Sequence, residues 1–496
     1  MEKCPPVKYF KNFLRTGSIS ANYSYMVLAS LCRAFLSLFL MAILARYLGV
    51  EHFGIFSYAL AFGELFVFLA DFGQPTVFIR DAAASVHSDE AQIIYSNVLV
   101  AQLLSIAITY FLIITIASFL TTSENSALIR LLALAVMLGG LSRMAAGAFR
   151  IFDRMQYEAF TVAGERFLTL ILVAAVAFLK GNIHDIALAW VAGSLGGYLL
   201  NLGLIHRNFL RFRLRTVTIP RVLRSLREGA PLALASFFTA LKSRAGVIIL
   251  QALAGSVALG LFSAGYRLLA LPYAFATSFQ STIISTFSRL SEDSSGSLQE
   301  VYKASLRLAL VMGFVCQALV MFMAPWAIPL LFGEGFRNSI FIVQVLSLTI
   351  IPIFGYLVTN SLLVARKQNK HLLLAWLAVG IINVVASSLL CPFLGAQGLA
   401  WSLVISEFGL FLINYLYIKA TFGSGELLLQ VTKNCGAVSV SFLMYLVFIY
   451  VDIGQMVASI FAGFAYLAIL TALRVITLKE VVYFTSINTN YQTTIK

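Results

Sequence analysis

An all-α integral membrane protein of about fourteen spans is the fold class this sequence predicts, and three observations predict it. Only 11% of the 496 residues are charged while 60% are hydrophobic, and mean hydropathy is +0.90; a soluble chain carries about 25% charged residues. Apolar stretches of about twenty residues recur from Tyr23 onward, the length a helix needs to cross about 30 Å of hydrocarbon. These stretches lack period-two alternation. That excludes a β-barrel, the other architecture that satisfies every backbone group in lipid.

Taken in order, the spans cover 24–45, 54–72, 97–120, 127–148, 159–179, 184–205, 231–253, 260–287, 306–329, 340–364, 371–392, 397–418, 435–451 and 455–473. The first follows Lys3, Lys8, Lys11 and Arg15, is too long for a signal-peptide core and contains Arg33, so it reads as an uncleaved span. An even number of spans puts both termini on one side. Of the 35 basic residues, twenty-five then fall on that side, four on the other (Arg46, Arg130, Lys180 and Arg337) and six within spans. The positive-inside rule therefore places both termini on the cytoplasmic side of the membrane. The net charge of +14 is then mainly a topology signal, and neither nucleic acid nor nucleotide is implied as a partner. The basic run from Arg207 to Arg227 reads as a cytoplasmic linker resting on an anionic leaflet.

The chain also repeats itself. Gly49, Gly54, Phe56 and Ser57 recur as Gly255, Gly260, Phe262 and Ser263, and Ile43 and Leu44 meet Ile249 and Leu250, all at one offset of 206 residues. This gives an N-terminal lobe over 1–206 (spans one to six), a linker over 207–228, a C-terminal lobe over 229–420 (spans seven to twelve), and a last pair of spans with a tail over 421–496. Two six-helix lobes in parallel pseudo-two-fold repeat are a transporter architecture.

Chemistry-bearing motifs are absent. No GxxxxGK followed by Ser or Thr occurs, so no phosphate cradle is present. There is no GxSxG elbow, and the longest outer loop, near Phe332 to Asn338, is too short to present catalytic groups. The five histidines (His52, His87, His184, His206, His371) are dispersed. The five cysteines (Cys4, Cys32, Cys316, Cys391, Cys435) lack CxxC spacing. No enzyme, cofactor or metal site is predicted; the protein moves something across the membrane.

The segments ARYLGVEHFGIFSYALA (45–61), GAPLALASFF (229–238) and LGLFSAGYRL (259–268) resemble the polysaccharide-exporting members of the multidrug/oligosaccharidyl-lipid/polysaccharide transporter superfamily, the O-antigen repeat-unit flippases. The resemblance covers nearly the whole chain. It implies a V-shaped pair of six-helix lobes around a central cavity, with two added C-terminal helices. It also implies a cargo of undecaprenyl-diphosphate-linked oligosaccharide, carried from the inner to the outer leaflet by alternating access. Many members place an acidic residue in span seven where this chain has Gly246, which weakens a cation-coupling mechanism at that turn.

Ten ionisable residues within the spans stand out: Arg33, Glu64, Asp71, Arg143, Glu165, Arg166, Lys242, Arg244, Arg267 and Glu407. Each is a functional candidate because charge in hydrocarbon is costly. Asp71 and Arg143 are near span ends and can snorkel, and Glu165 and Arg166 have Arg154 and Glu158 nearby. Ser30, Arg33 and Ser37 share one helical face. Ser236, Thr239, Lys242, Ser243 and Gly246 share another, with Arg244 turned about 140° away. Arg33, Lys242 and Arg267 are therefore the expected cavity contacts for a diphosphate, which guanidinium and ammonium groups bind with charge-assisted hydrogen bonds. Glu64 and Glu407 are the expected counter-charges or coupling groups for a proton or sodium ion. Arg33 and Glu64 are expected at nearly equal depth, about 12 to 14 Å inside, where adjacent antiparallel helices either bring them together as a pair or turn them apart. Pro231, Pro272, Pro325, Pro329 and Pro352 mark bends. A drug/cation antiporter of the same superfamily is the alternative, though it calls for acidic rather than basic mid-span groups. A membrane polymerase or ligase of the same glycolipid is disfavoured by the short outer loops.

Overall fold

The computed structural model describes residues 19–422, apart from 84, 86–87, 121–122 and 292–296, together with 461. Spans thirteen and fourteen lie outside the described residues. Within them the chain is helical throughout, in the order α1 (Ile19–Leu65), α2 (Val67–Asp71), α3 (Gln74–Ala83), α4 (Asp89–Leu120), α5 (Ser123–Ile151), α6 (Met155–Phe178), α7 (Ile183–Asn208), α8 (Ile219–Leu268), α9 (Ala270–Leu290), α10 (Ser297–Phe332), α11 (Ser339–Ser347), α12 (Ile350–Ala365), α13 (Asn369–Leu394) and α14 (Ala396–Phe422). Among the described residues ten helices are long and apolar enough to cross a membrane. This is a multi-pass membrane protein.

Two of those ten are longer than one crossing needs. The first runs over Leu28–Ala83, 56 residues, and takes in most of α1 with α2 and α3, broken at Phe66 and at Phe72–Gly73. It is kinked at Gly49, whose φ of 71° and ψ of 177° lie outside helical space. The other, Ile219–Leu268, is kinked identically at Gly255 (φ 79°, ψ −179°). Positive φ at an L-residue is strained, and glycine removes the strain. The repeat read from the sequence thus recurs as a repeated backbone event, 206 residues apart.

Proline decides two breaks that hydropathy misses. Spans eight and ten, expected as single helices over 260–287 and 340–364, are interrupted at Leu269 and at Leu348–Thr349. Pro272 and Pro352 follow each break as the third residue of α9 and of α12. There the missing N–H is one that a helix start leaves unpaired anyway. Pro231, Pro325 and Pro329 stay within α8 and α10.

The chain divides into two compact units, Met1–Ser263 and Ala264–Lys496. The linker and span seven therefore pack with the first unit, although the sequence suggests a division at 207–228. In the first unit α5 packs on α7, α1 on α5 and α6, α6 on α7, and α3 on α4. In the second, α12 is central, packed on α9, α10 and α14, with α13 on α14. Asn182 caps α7 by accepting from the backbone N–H groups of His184 and Asp185, and Asp185 accepts from the Asn182 N–H in return. This reciprocal cap meets donors that hydrocarbon cannot.

Candidate functional site

The intramembrane charges of the first unit sort by partner. Arg143 on α5 pairs with Asp71 at 3.0 Å, and Gln102 of α4 donates to the same carboxylate at 3.3 Å. Neither needs to snorkel separately; they satisfy each other. Arg150 takes Glu158 with two hydrogen bonds, 2.8 and 2.5 Å. Glu158 is thereby committed away from Arg166, its expected neighbour. Glu165 accepts from Ser142, which in turn accepts from Asn201 at 2.7 Å.

What remains is Arg33. It is exposed on α1, with Arg143, Glu165 and Arg166 in electrostatic range, and no carboxylate among the described residues lies within ion-pair distance of it. The Arg33–Glu64 pair does not form. Glu64 pairs instead with Arg244 of α8 at 2.8 Å, each side chain 32% exposed. Depth leaves helix rotation and neighbour order open, and here Glu64 faces Arg244 of span seven. Arg244 is accordingly an interhelical group. Lys242, expected to face a lumen, is buried and has an interaction partner.

The Glu64–Arg244 pair is one rung of a longer seam. Gly54 meets the backbone of Ser256 and Gly260, and Gly260 meets the backbone of Val50 and Gly54. A β-carbon at either glycine would collide with a carbonyl oxygen. Ser256 stands 206 residues after Val50, so the contact is symmetric under the repeat. Further along, Phe68 packs on Phe237 with ring centroids 4.9 Å apart, and Gly73 and Phe72 lie against Gly229. Buried Gln74 donates to the Ser225 carbonyl at 3.3 Å and accepts from the Ser225 hydroxyl at 2.5 Å. As residue numbers rise through span two they fall through span seven. The two segments therefore run antiparallel and touch at these points.

At its last rungs the seam becomes ionic. Glu228 receives both Arg224, at 2.8 Å, and Arg80; Arg213 reaches Asp89 at 3.1 Å and Arg221 reaches Glu90 at 3.8 Å. The hydrogen bonds from Arg224 and then Arg80 hold the Glu228 carboxyl below its ordinary range. Asn97 of α4 donates to the Thr216 carbonyl and accepts from the Thr218 N–H, which fixes the linker's course. Part of the linker's basic charge is thus met by protein carboxylates. Nothing in the sequence singled out Gln74 or Glu228, although Glu228 is the one carboxylate of the Arg207–Arg227 neighbourhood.

In the second unit Arg267 and Glu407 are half-buried and both are engaged. Glu407 lies within electrostatic reach of Tyr273 and Tyr356, which share a side-chain hydrogen bond. The three expected cavity contacts are therefore divided, Arg33 and Lys242 in one unit and Arg267 in the other. Among the described residues no cluster of His, Cys, Asp and Glu could hold a metal ion.

Comparison with known proteins agrees with this layout. Residues 19–291 match the family model described as "Polysaccharide biosynthesis protein". The chain is 20% identical over 415 residues to the capsular polysaccharide biosynthesis protein CapF of Staphylococcus aureus, which covers 81% of this chain and 99% of that one. Among solved structures it is similar to the lipid II flippase MurJ in an inward closed conformation, with a TM-score of 0.67, 16% identity, and coverage of 90% of this chain and 98% of that one. A multidrug resistance MATE family transporter of the MOP superfamily, inward-facing, matches with a TM-score of 0.61 and 15% identity, covering 81% and 94%. These structures share the all-α membrane fold.

Proposed function

The chain belongs to the polysaccharide biosynthesis protein family, and from that premise we propose that it is a flippase for lipid-linked oligosaccharide repeat units of a surface polysaccharide. Arg33 carries the reading. It is an exposed guanidinium on a membrane helix with two further arginines and the carboxylates of Glu158 and Glu165 in electrostatic range, and no ion-pair partner among the described residues. An unpartnered cation in a span is costly unless water or a ligand meets it. A diphosphate supplies the matching charge and the bidentate oxygens that a guanidinium binds best. Lys242 and Arg267 join it as further contacts to the headgroup. The prenyl chain stays in the bilayer while the sugars cross.

Coupling falls to Glu64. It is held by Arg244, so parting of the pair frees the guanidinium and loosens spans two and seven. Both termini and the linker lie on the cytoplasmic side of the inner membrane, and alternating access moves the headgroup between leaflets. The test is reconstitution with a lipid-linked oligosaccharide and a membrane-impermeant reagent that labels sugars in the outer leaflet. Arg33→Ala is expected to abolish labelling of newly flipped substrate while protein abundance holds, and Arg33→Lys is expected to keep part of the activity. Undiminished flipping by an Arg33→Ala, Lys242→Ala double variant would refute the assignment.

A further inference from the structure

The linker between α7 and α8 divides its arginines into two sets. Arg213, Arg221 and Arg224 are paired with Asp89, Glu90 and Glu228. Arg207, Arg211, Arg215 and Arg227 are exposed, and none has a carboxylate within ion-pair distance among the described residues. Large apolar side chains stand beside this second set: Leu214 is 72% exposed, Ile219 76% and Leu223 59%.

Helical spacing makes the division a matter of faces. Ile219, Leu223 and Arg227 recur every four residues along the first turns of α8 and share one side. Val222, Ser225 and Gly229 are buried on the other, where Gln74 and Phe72 meet them. The protein thus covers one face of this helix and leaves bare a second face that mixes bulky apolar residues with unpaired cations. The linker also runs directly out of one membrane-crossing helix, Ile183–Asn208, and into another, Ile219–Leu268. It therefore lies at the edge of the bilayer. Apolar side chains interleaved with arginine at that depth are the composition of an interfacial segment, with apolar groups in the headgroup boundary and cations on anionic lipid.

We propose that residues 211–227 form a lipid-binding surface on which Leu214, Ile219 and Leu223 enter the headgroup boundary and Arg211, Arg215 and Arg227 bind anionic phospholipid headgroups. The occupant is the bilayer itself. The same helix turns are then held from two sides, by Gln74 and the ion pairs within the protein and by anionic lipid outside it. The proposal does not depend on what the protein transports.

The test uses the full chain with its five cysteines replaced by serine, one new cysteine from Ile219→Cys, and an environment-sensitive fluorophore on it. The protein is reconstituted into vesicles of phosphatidylcholine alone or mixed with phosphatidylglycerol. In mixed vesicles the emission is expected to shift to the blue and to be quenched by spin-labelled lipid. Both effects are expected to weaken in phosphatidylcholine alone and in an Arg211→Gln, Arg215→Gln, Arg227→Gln variant. Each arginine removed is expected to lower the docked-to-undocked ratio about fivefold in mixed vesicles. A second label at Leu223→Cys guards against local damage, and a normal elution profile of the triple variant confirms its fold. Equal quenching by aqueous iodide in both vesicle types would overturn the surface. Lipid quenching indifferent to phosphatidylglycerol and to the triple variant would overturn the anionic headgroup as its ligand.

Discussion

At the scale of single residues, Arg33 and Arg244 are the same side chain in opposite circumstances. Arg244 has a carboxylate at 2.8 Å, whereas Arg33 has Arg143, Arg166, Glu158 and Glu165 within electrostatic range but no carboxylate at ion-pair distance among the described residues. Removing one partner of a half-exposed pair strands the other charge, so Glu64→Gln or Arg244→Ala is expected to cost about 1 to 2 kcal/mol, below the figure for fully buried pairs. Thermal denaturation in detergent measures it. The exchange Glu64→Arg, Arg244→Glu is expected to recover most of the loss, and no recovery would show that the pair is not what holds these helices. Arg33→Ala is expected to leave the melting temperature within a degree or so of the parent, since no carboxylate among the described residues lies at ion-pair distance to be stranded by the truncation. The set of intramembrane charges was legible in the sequence because a charge in an apolar run is conspicuous. Their pairing was not. Which neighbour a side chain faces depends on helix rotation, and neither span's sequence fixes that.

At the scale of elements, the repeat was legible as a 206-residue offset, and the structure turns it into a contact. The copies of the motif meet each other: Gly54 lies on Ser256 and Gly260, Gly260 on Val50 and Gly54. Small residues that let backbones touch are how helices associate where lipid removes the hydrophobic driving force. Gly54→Val and Gly260→Val are each expected to lower the amount of folded protein severalfold, and to similar extents, because the collision is with backbone that cannot rotate aside. Membrane-fraction immunoblotting compares them. A harmless Gly260→Val would break the equivalence of the two copies. At Gly49 and Gly255 the cost has a different origin: an alanine there finds open space but is held at positive φ, a penalty of about 1 to 2 kcal/mol. The breaks before Pro272 and Pro352 were less legible, since hydropathy runs unbroken through both. The prolines mark bends, and only the folded chain shows that each bend is a restart.

At the scale of the whole molecule, the seam between spans two and seven explains why the first compact unit extends to Ser263 and not to the linker. It joins segments distant in sequence by four unlike kinds of contact: touching backbones, one ion pair, a tilted pair of rings and an ionic clasp. These differ in what undoes them. Backbone contacts and rings are indifferent to salt, whereas the clasp of Arg80, Arg224 and Glu228 is exposed and is screened at high ionic strength. Its response to pH follows from Glu228, whose carboxyl is held below its ordinary range. A depressed pKa adds stability that is full above the unfolded value, about 4.3 for glutamate, and is lost only as pH falls through the lower folded value. The clasp is therefore expected to be unchanged between neutral pH and pH 5 but to loosen in salt. If a flippase works by alternating access, such a salt-labile end is where the seam parts. In a cysteine-free background, Arg80→Cys, Glu228→Cys joined by a short bifunctional thiol cross-linker with a reducible spacer is expected to arrest flipping. Reductant is expected to restore it to the level of the uncross-linked double variant. Full activity with the cross-link in place would mean that spans two and seven stay together at this end through the whole cycle, and the motion would then have to be sought elsewhere in the protein.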